Sequence, residues 1–465
     1  MGSGRCAGVD WASEKHDVLV QEADGETVLE ATFAHDERGI AALCGTLVRL
    51  GVRLVAIERP DGLLVERLLD AGLRVLALHP NQVHAARPRF RASGGKSDRF
   101  DAFVLCELAR TDSHRFRVLV ADRDDTKALR ALSRAREDLV ATRVELANRL
   151  RAELERFWPG AAVVFDAIDS PIGLAFLERY PSPTDARGLG EQRLAAFLAR
   201  HRYCGRKDPG ELVAKLRGAP AGRAGDNETE ARRAIVLALV AALKPIVAKI
   251  RELTSEIAHR VRAHPDGPVF LSLFRDPKSV VTAAALLAEI GDCRARYPTA
   301  EALAADAGMS PVAVESGKRK VACFRYGCDK RLRDATSTLA DATRHWHPWA
   351  HDRYAAALAR GQDHPRAIRT LGRAWTRVLW RCWQDGVAYD PARHRGLQQH
   401  IAVTNAHPSR PGLDPTATQR MAGAPSRTRR VDTGRLTPRL RGPDPGLPPT
   451  LLRRDTRSGI KSGGT

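Results

Sequence analysis

Apolar residues in the first quarter of the chain come in short runs whose period changes several times. Cys6–Trp11, Asp17–Glu22 and Thr27–Phe33 have strand patterning, and Asp24-Gly25 turns the second hairpin. The period then lengthens to that of a helix over Arg38–Leu50 and returns to a strand at Arg53–Glu58. A helix, Gly62–Ala71, and a strand, Arg74–Leu78, follow. Leu129, Leu132, Leu139, Leu146, Leu150 and Phe157 then recur at heptad spacing through a long helix over 126–157, with Arg136 and Arg143 intruding on its seam. After a loop at Gly218–Asn227, a second long helix runs from Glu228 to Val261. In it Leu239, Leu243, Ile246, Ile250, Leu253 and Ile257 repeat, and Pro245 predicts a kink. The two long helices pair either within one chain or across a dimer.

The pattern stays helical over 266–390. Helices are expected at Val280–Ile290, at Thr299–Ala307 with Thr299 as N-cap, at Asp329–Arg344 and at Pro365–Gln384, with a loop over Met309–Val321. Trp375, Trp380 and Trp383 share one helical face and read as core. Beyond His400, Pro, Gly, Arg, Ser and Thr take over and the periodicity ends, so 401–465 reads as a disordered basic tail. The chain therefore divides into an α/β region (5–115), a helical, coiled-coil-like segment (122–262), a mostly helical region (266–395) and the tail. Three hairpin-linked strands followed by α/β units match the ribonuclease H-like arrangement.

Composition narrows the class of partner. The 465 residues carry 75 Lys+Arg against 55 Asp+Glu, a formal net charge of +20. Such an excess favours a polyanion, with counterion release supplying affinity, although GC-rich coding also enriches Arg and Ala. No apolar run approaches the roughly 20 residues of a membrane span. Asp10 and Glu14 interrupt any signal-peptide core, and the eight cysteines form no CxxC pair, so a reducing cytoplasm is expected. Cys323, Cys328, His345 and His347 match no standard zinc spacing.

Two places carry chemistry. Asp10 closes Gly8-Val9-Asp10, Glu58 closes Leu54-Val55-Ala56-Ile57-Glu58, and Asp98 and Asp101 lie three apart where a helix begins. Residues three apart on a helix share a face, so both aspartates can point at one site. Four convergent carboxylates are costly unless a hard cation such as Mg²⁺ neutralises them, and such sites clamp phosphodiester oxygens. Asp17, Asp61 and Glu107 are rival acids, and Asp98 could simply cap its helix. The second place is Glu315-Ser316-Gly317-Lys318-Arg319-Lys320, with Arg325, Lys330 and Arg331 nearby. A serine among cations can attack a phosphodiester while the cations stabilise the transition state; a turn on a solvated surface is the bland reading.

Taken together, Gly8-Val9-Asp10, Ala56-Ile57-Glu58, Lys96-Ser97-Asp98-Arg99-Phe100-Asp101-Ala102, Leu286–Asp292 and Glu315-Ser316-Gly317-Lys318 identify a resemblance. The chain resembles DEDD-type transposases of bacterial insertion sequences, the IS110 group, described as bridge-RNA-guided recombinases. The likeness spans most of residues 5–395. It implies a RuvC-like nuclease domain, a coiled-coil segment and a transposase domain with a nucleophilic serine. On this sequence Asp10, Glu58, Asp98 and Asp101 would bind Mg²⁺, and Ser316 would form a phosphoserine bond to DNA. The two halves of each site would come from different protomers, implying a dimer or tetramer. A structured guide RNA would specify donor and target DNA by pairing. Two departures stand out. Arg275-Asp276-Pro277-Lys278-Ser279 replaces a glycine-containing turn, leaving Lys278 as the phosphate contact, and Ser97 stands where threonine is common. The alternatives are a RuvC-like metal nuclease such as a junction resolvase, with Ser316 structural, and a catalytically inactive nucleic-acid-binding protein.

Overall fold

The computed structural model describes residues 4–58, 61–91, 97–276, 279–316 and 319–406, all within one compact unit. The tail from 407 onward lies outside the described residues. The N-terminal region runs β1 (Cys6–Trp11), β2 (Lys15–Gln21), β3 (Thr27–Ala34), α1 (Glu37–Arg49), β4 (Leu54–Ile57), α2 (Leu63–Asp70), β5 (Arg74–Ala77), α3 (Pro80–Phe90) and α4 (Asp98–Asp112). One mixed sheet forms in the order β3-β2-β1-β4-β5. In it β1 is antiparallel to β2 and parallel to β4, which is parallel to β5. Strand period two divides the apolar residues between faces. Ala7, Val9, Val55 and Ile57 pack under α1 and α2, while Cys6, Leu54, Ala56 and Leu76 pack under α4.

Gly8 fixes how closely α4 lies on β1. A Cβ built there would stand 2.0 Å from the Ala102 carbonyl oxygen and 2.4 Å from the Cys106 nitrogen, so helix backbone rests directly on strand backbone. Ser97 caps α4, its hydroxyl accepting from the Phe100 amide at 3.2 Å. The cap is thus Ser97 and not Asp98, and any hydroxyl residue would serve. Helix α3 is an addition to the sequence reading. It starts at Pro80, whose missing N–H costs nothing in the first turn, behind a His79 cap.

Two long helices, α5 (Asp124–Phe157) and α10 (Asp226–Ala263), pack along one another within the chain. Pro245 does not end α10. On the seam, Arg136 donates to the Thr254 hydroxyl at 2.8 Å, and Arg143 Nε lies 2.9 Å from the Asp169 carboxylate as an ion pair. Between the long helices lie α6 (Pro159–Val163), α7 (Pro171–Arg179), α8 (Glu191–Arg200) and α9 (Pro209–Arg217). They bury Trp158, Phe165, Phe176 and Phe197 in a core shared with both long helices, in a stretch whose pattern is too irregular to read alone.

The C-terminal region comprises α11 (Gly267–Leu271), α12 (Val280–Ile290), α13 (Ala300–Asp306), β6 (Val312–Ser316), β7 (Arg319–Cys323), α14 (Lys330–Thr343), α15 (Pro348–Ala359), α16 (His364–Asp385) and α17 (Arg395–Ala406). Trp375 and Trp383 are fully buried, and the Trp380 indole donates to the Tyr297 carbonyl at 2.7 Å, so all three serve the core. Two expectations change. Met309–Val321 is not a loop, because alternating Val312, Val314 and Val321 build an exposed antiparallel hairpin, paired from Val312↔Cys323 to Ser316↔Arg319. The tail cannot begin at 401, because α17 continues to Ala406. Among the described residues no helix is long and apolar enough to cross a membrane.

Gly8→Ala is expected to push α4 off β1 and cost about 1–3 kcal/mol. Thermal melting checks this, and an unchanged midpoint would mean the helix moves away without cost.

Candidate active site

The four expected acids are carried by three neighbouring elements. Asp10 sits near the end of β1, opposite Asp17 of β2. Glu58 directly follows β4, the parallel neighbour of β1. Asp98 opens α4, and Asp101 lies one turn on, 3% exposed. The Asp10 carboxyl is pushed up to about 7, first by burial and then by the charges of Asp101, Asp98, Glu58 and Asp17. The charges of the other three acids thus bear on Asp10, as does that of Asp17.

Three side chains restrain the cluster. Lys15 Nζ lies 3.4 Å from Asp17 and 3.8 Å from Asp98. The Thr32 hydroxyl donates to Asp17 at 2.5 Å. Arg87 of α3 forks onto Asp101, its Nε and Nη2 donating at 2.7 and 2.8 Å, the planar geometry that suits a carboxylate. The rival acids are engaged otherwise, Glu107 with Arg110 and Asp61 with Arg134. Sequence reading missed Arg87 and the contribution of Asp17. Arg87 gave no signal, because α3 carries two arginines, Arg87 and Arg89, and spacing does not say which one faces the acids. The donor set is all oxygen, partly buried and mutually repulsive, which suits a hard divalent cation.

Ser316 lies elsewhere, exposed at the end of β6 and cross-strand from Arg319 in a sheet of its own. Of the basic residues grouped with it, Lys320 pairs with Glu315 at 3.6 Å and Arg325 donates to the Ser310 carbonyl at 3.0 Å. Lys330 is exposed at the start of α14. Arg331 forks onto Glu137 and Asp138 of α5 at 2.9 and 2.8 Å, a tie within the chain. Lys278 and Lys318 lie outside the described residues.

A second cluster, Asp125, His264 and Asp292, brings ligand-type atoms within 4.8 Å of one another. Its hydrogen bonds describe a joint. His264 Nδ1 accepts from the Asp266 amide at 3.0 Å, so the ring proton is on Nε2. That nitrogen donates to the Thr126 hydroxyl at 2.8 Å, which in turn donates to Asp292 at 2.9 Å. Arg123 already supplies positive charge, 2.9 Å from Asp292. The protonated Nε2 is no metal ligand.

Comparison with known proteins decides the family. Residues 7–159 match the DEDD transposase model of the IS110 type, and residues 279–355 match the transposase model of the IS116/IS110/IS902 family. The mini-circle protein of IS117 from Streptomyces coelicolor is 31% identical over 83% of this chain and 95% of its own length. The 42 kDa protein of insertion element IS900 from Mycobacterium paratuberculosis is 29% identical over 83% of this chain and 97% of its own. The chain belongs to the IS110 family of transposases. As a member of that family it is a DNA-cutting and rejoining enzyme, and the family typically uses a divalent metal. The first family match covers β1, β4 and α4 with all four acids, while the second covers α12 and the serine hairpin.

In the metal-free transposase the folded state keeps a proton on Asp10 up to about pH 7, whereas the unfolded chain releases it near the ordinary carboxylate value of 3.8. Between those values the folded state binds more protons, so stability falls as pH rises through this window and levels off above it. Asp10→Asn is expected to remove that slope and to be more stable than wild type at about pH 8, by on the order of 1–3 kcal/mol. Denaturant titrations at several pH values measure this, and parallel wild-type and Asn curves would contradict it. Arg87→Ala strands the buried Asp101 carboxylate and is expected to cost about 3 kcal/mol without metal. Added Mg²⁺ should restore part of the lost melting temperature; no recovery would place Asp101 outside the metal's reach.

Proposed function

We propose that this transposase is a site-specific DNA recombinase that cuts and rejoins strands through a phosphoserine intermediate. The observation that carries the reading is the raised Asp10 carboxyl, on which burial and then the charges of Asp101, Asp98 and Glu58 bear from β4 and α4. These carboxylates would hold Mg²⁺, which supplies Lewis-acid stabilisation of charge developing on a scissile phosphate. Asp17, held by Thr32 and Lys15, keeps the cluster anionic, and Arg87 keeps Asp101 oriented.

Ser316 Oγ attacks phosphorus and gives up its proton. The bond from phosphorus to the leaving deoxyribose oxygen breaks, that oxygen takes a proton, and the DNA is held as a serine phosphodiester. A hydroxyl of the incoming strand then reverses the step and returns Ser316, so bond energy is conserved and no ATP is needed. Lys318, Arg319 and Lys320 offset the charge on the phosphate, with Arg325 and Lys330 nearby, while Lys278 contacts backbone elsewhere. In the dimer or tetramer that the family likeness implies, the serine of one protomer would meet the acids of another. The +20 charge supports donor DNA, target DNA and a structured guide RNA as partners.

The test is a denaturing-gel search for a covalent protein–DNA adduct, using labelled element-junction DNA, cognate RNA and Mg²⁺. Wild type is expected to form the adduct, and Ser316→Ala and Asp10→Asn are each expected to lose it, by at least about a hundredfold. Cleavage that persists in Ser316→Ala without any adduct would leave a metal nuclease in place of a recombinase.

A further inference from the structure

A cavity of about 170 Å³ opens at the C-terminal ends of β1 and β4. Among the described residues its walls are Trp11, His35, Ile57 and the Gly62–Val65 turn that starts α2, with Asp61 beside them. Trp11 follows Asp10 and Ile57 precedes Glu58. Because successive side chains alternate across a strand, the acids and the cavity occupy opposite faces of the same two strand ends. Open α/β sheets bind ligands at such carboxyl ends. Whatever fills this cavity therefore sits across the ends of β1 and β4 from the acids.

The lining states what it accepts. Its carboxylate among the described residues, Asp61, already pairs with Arg134 at 3.6 Å, and the start of α2 has no side-chain cap. The rest is apolar or aromatic, and Leu63 stands 55% exposed at a site with no folding reason for it. The volume falls below the roughly 300–1,000 Å³ of drug-sized sites and suits a single flat ring system. His35 stands edge-on to Trp11 at 6.1 Å and 85°. Its Nδ1 is tied at 2.8 Å to Nε2 of His16, which is fully buried with its own Nδ1 unpartnered. That tie fixes the His35 ring and leaves its Nε2 without a protein partner among the described residues, ready for a polar ring edge.

We propose that this cavity receives an unstacked nucleobase of the strand whose phosphate lies at the acids, a role resting on the recombinase reading above. Trp11 and Leu63 supply the apolar walls, His35 and Asp61 bond the base edge, and the seated base fixes which phosphate faces Asp10 and Glu58.

Photocrosslinking tests it on the full chain. Random-sequence single-stranded DNA carrying 5-iododeoxyuridine is bound in Mg²⁺, irradiated, and its adducts mapped by peptide mass spectrometry, with total binding followed by fluorescence anisotropy. Adducts are expected on the peptides holding Trp11 or His35. They should fall roughly tenfold in Leu63→Trp, which fills the mouth, while anisotropy changes less than about twofold. Normal binding with adducts confined to other peptides, or adducts at Trp11 and His35 undiminished in Leu63→Trp, overturns the base site and leaves the recombinase reading standing. Absence of DNA binding overturns both.

Discussion

The contact of α4 with β1 across Gly8 sets the terms for the chemistry of this transposase. Helix backbone touches strand backbone there, and nothing larger than hydrogen fits. That approach places the first turn of α4 beside the end of β1 and forces Asp98 and Asp101 toward Asp10 and Glu58. Burial first, and then the charges of these acids, raise Asp10 to about 7. The fold accepts it because backbone packing of a buried strand and helix yields more than the carboxylates cost. Lys15 and Arg87 then take up part of the charge. An acid cluster held together by packing in this way fits the cation site proposed for it.

The same molecule shows where its arginines go. Much of the positive charge is spent inside, at joints between regions. Arg134 forks onto buried Glu289 at 2.9 and 2.7 Å, and Arg296 reaches Asp122 at 3.1 Å. Lys127 pairs with Glu66 and Arg331 with Glu137 and Asp138. With the Thr126–His264–Asp292 chain, these bonds tie the start of α5 to α10, α12 and the N-terminal sheet. A guanidinium–carboxylate fork with a buried partner, such as Arg134 on Glu289, breaks expensively and so resists separation of the regions it joins. Each such pair removes one base with one acid, so the net charge of +20 is carried by the remaining residues.

What sequence settles here is whatever rests on local periodicity and short-range chemistry. The three hairpin strands, the two long helices, the α12 span and the three core tryptophans follow from apolar spacing, which is fixed by the geometry of strand and helix. The order of the four acids is legible for the same reason, since each closes or opens an element that the pattern defines. Tertiary structure decided the rest. It chose intrachain pairing for α5 and α10 and seated their arginines against Thr254 and Asp169. It turned an expected loop into a hairpin and carried α17 past His400. It also selected Arg87 over Arg89 as the partner of Asp101, brought Asp17 into the cluster, and put a cavity behind the acids. Each of these depends on atoms far apart in the chain meeting at ångström range, and no local pattern encodes that distance.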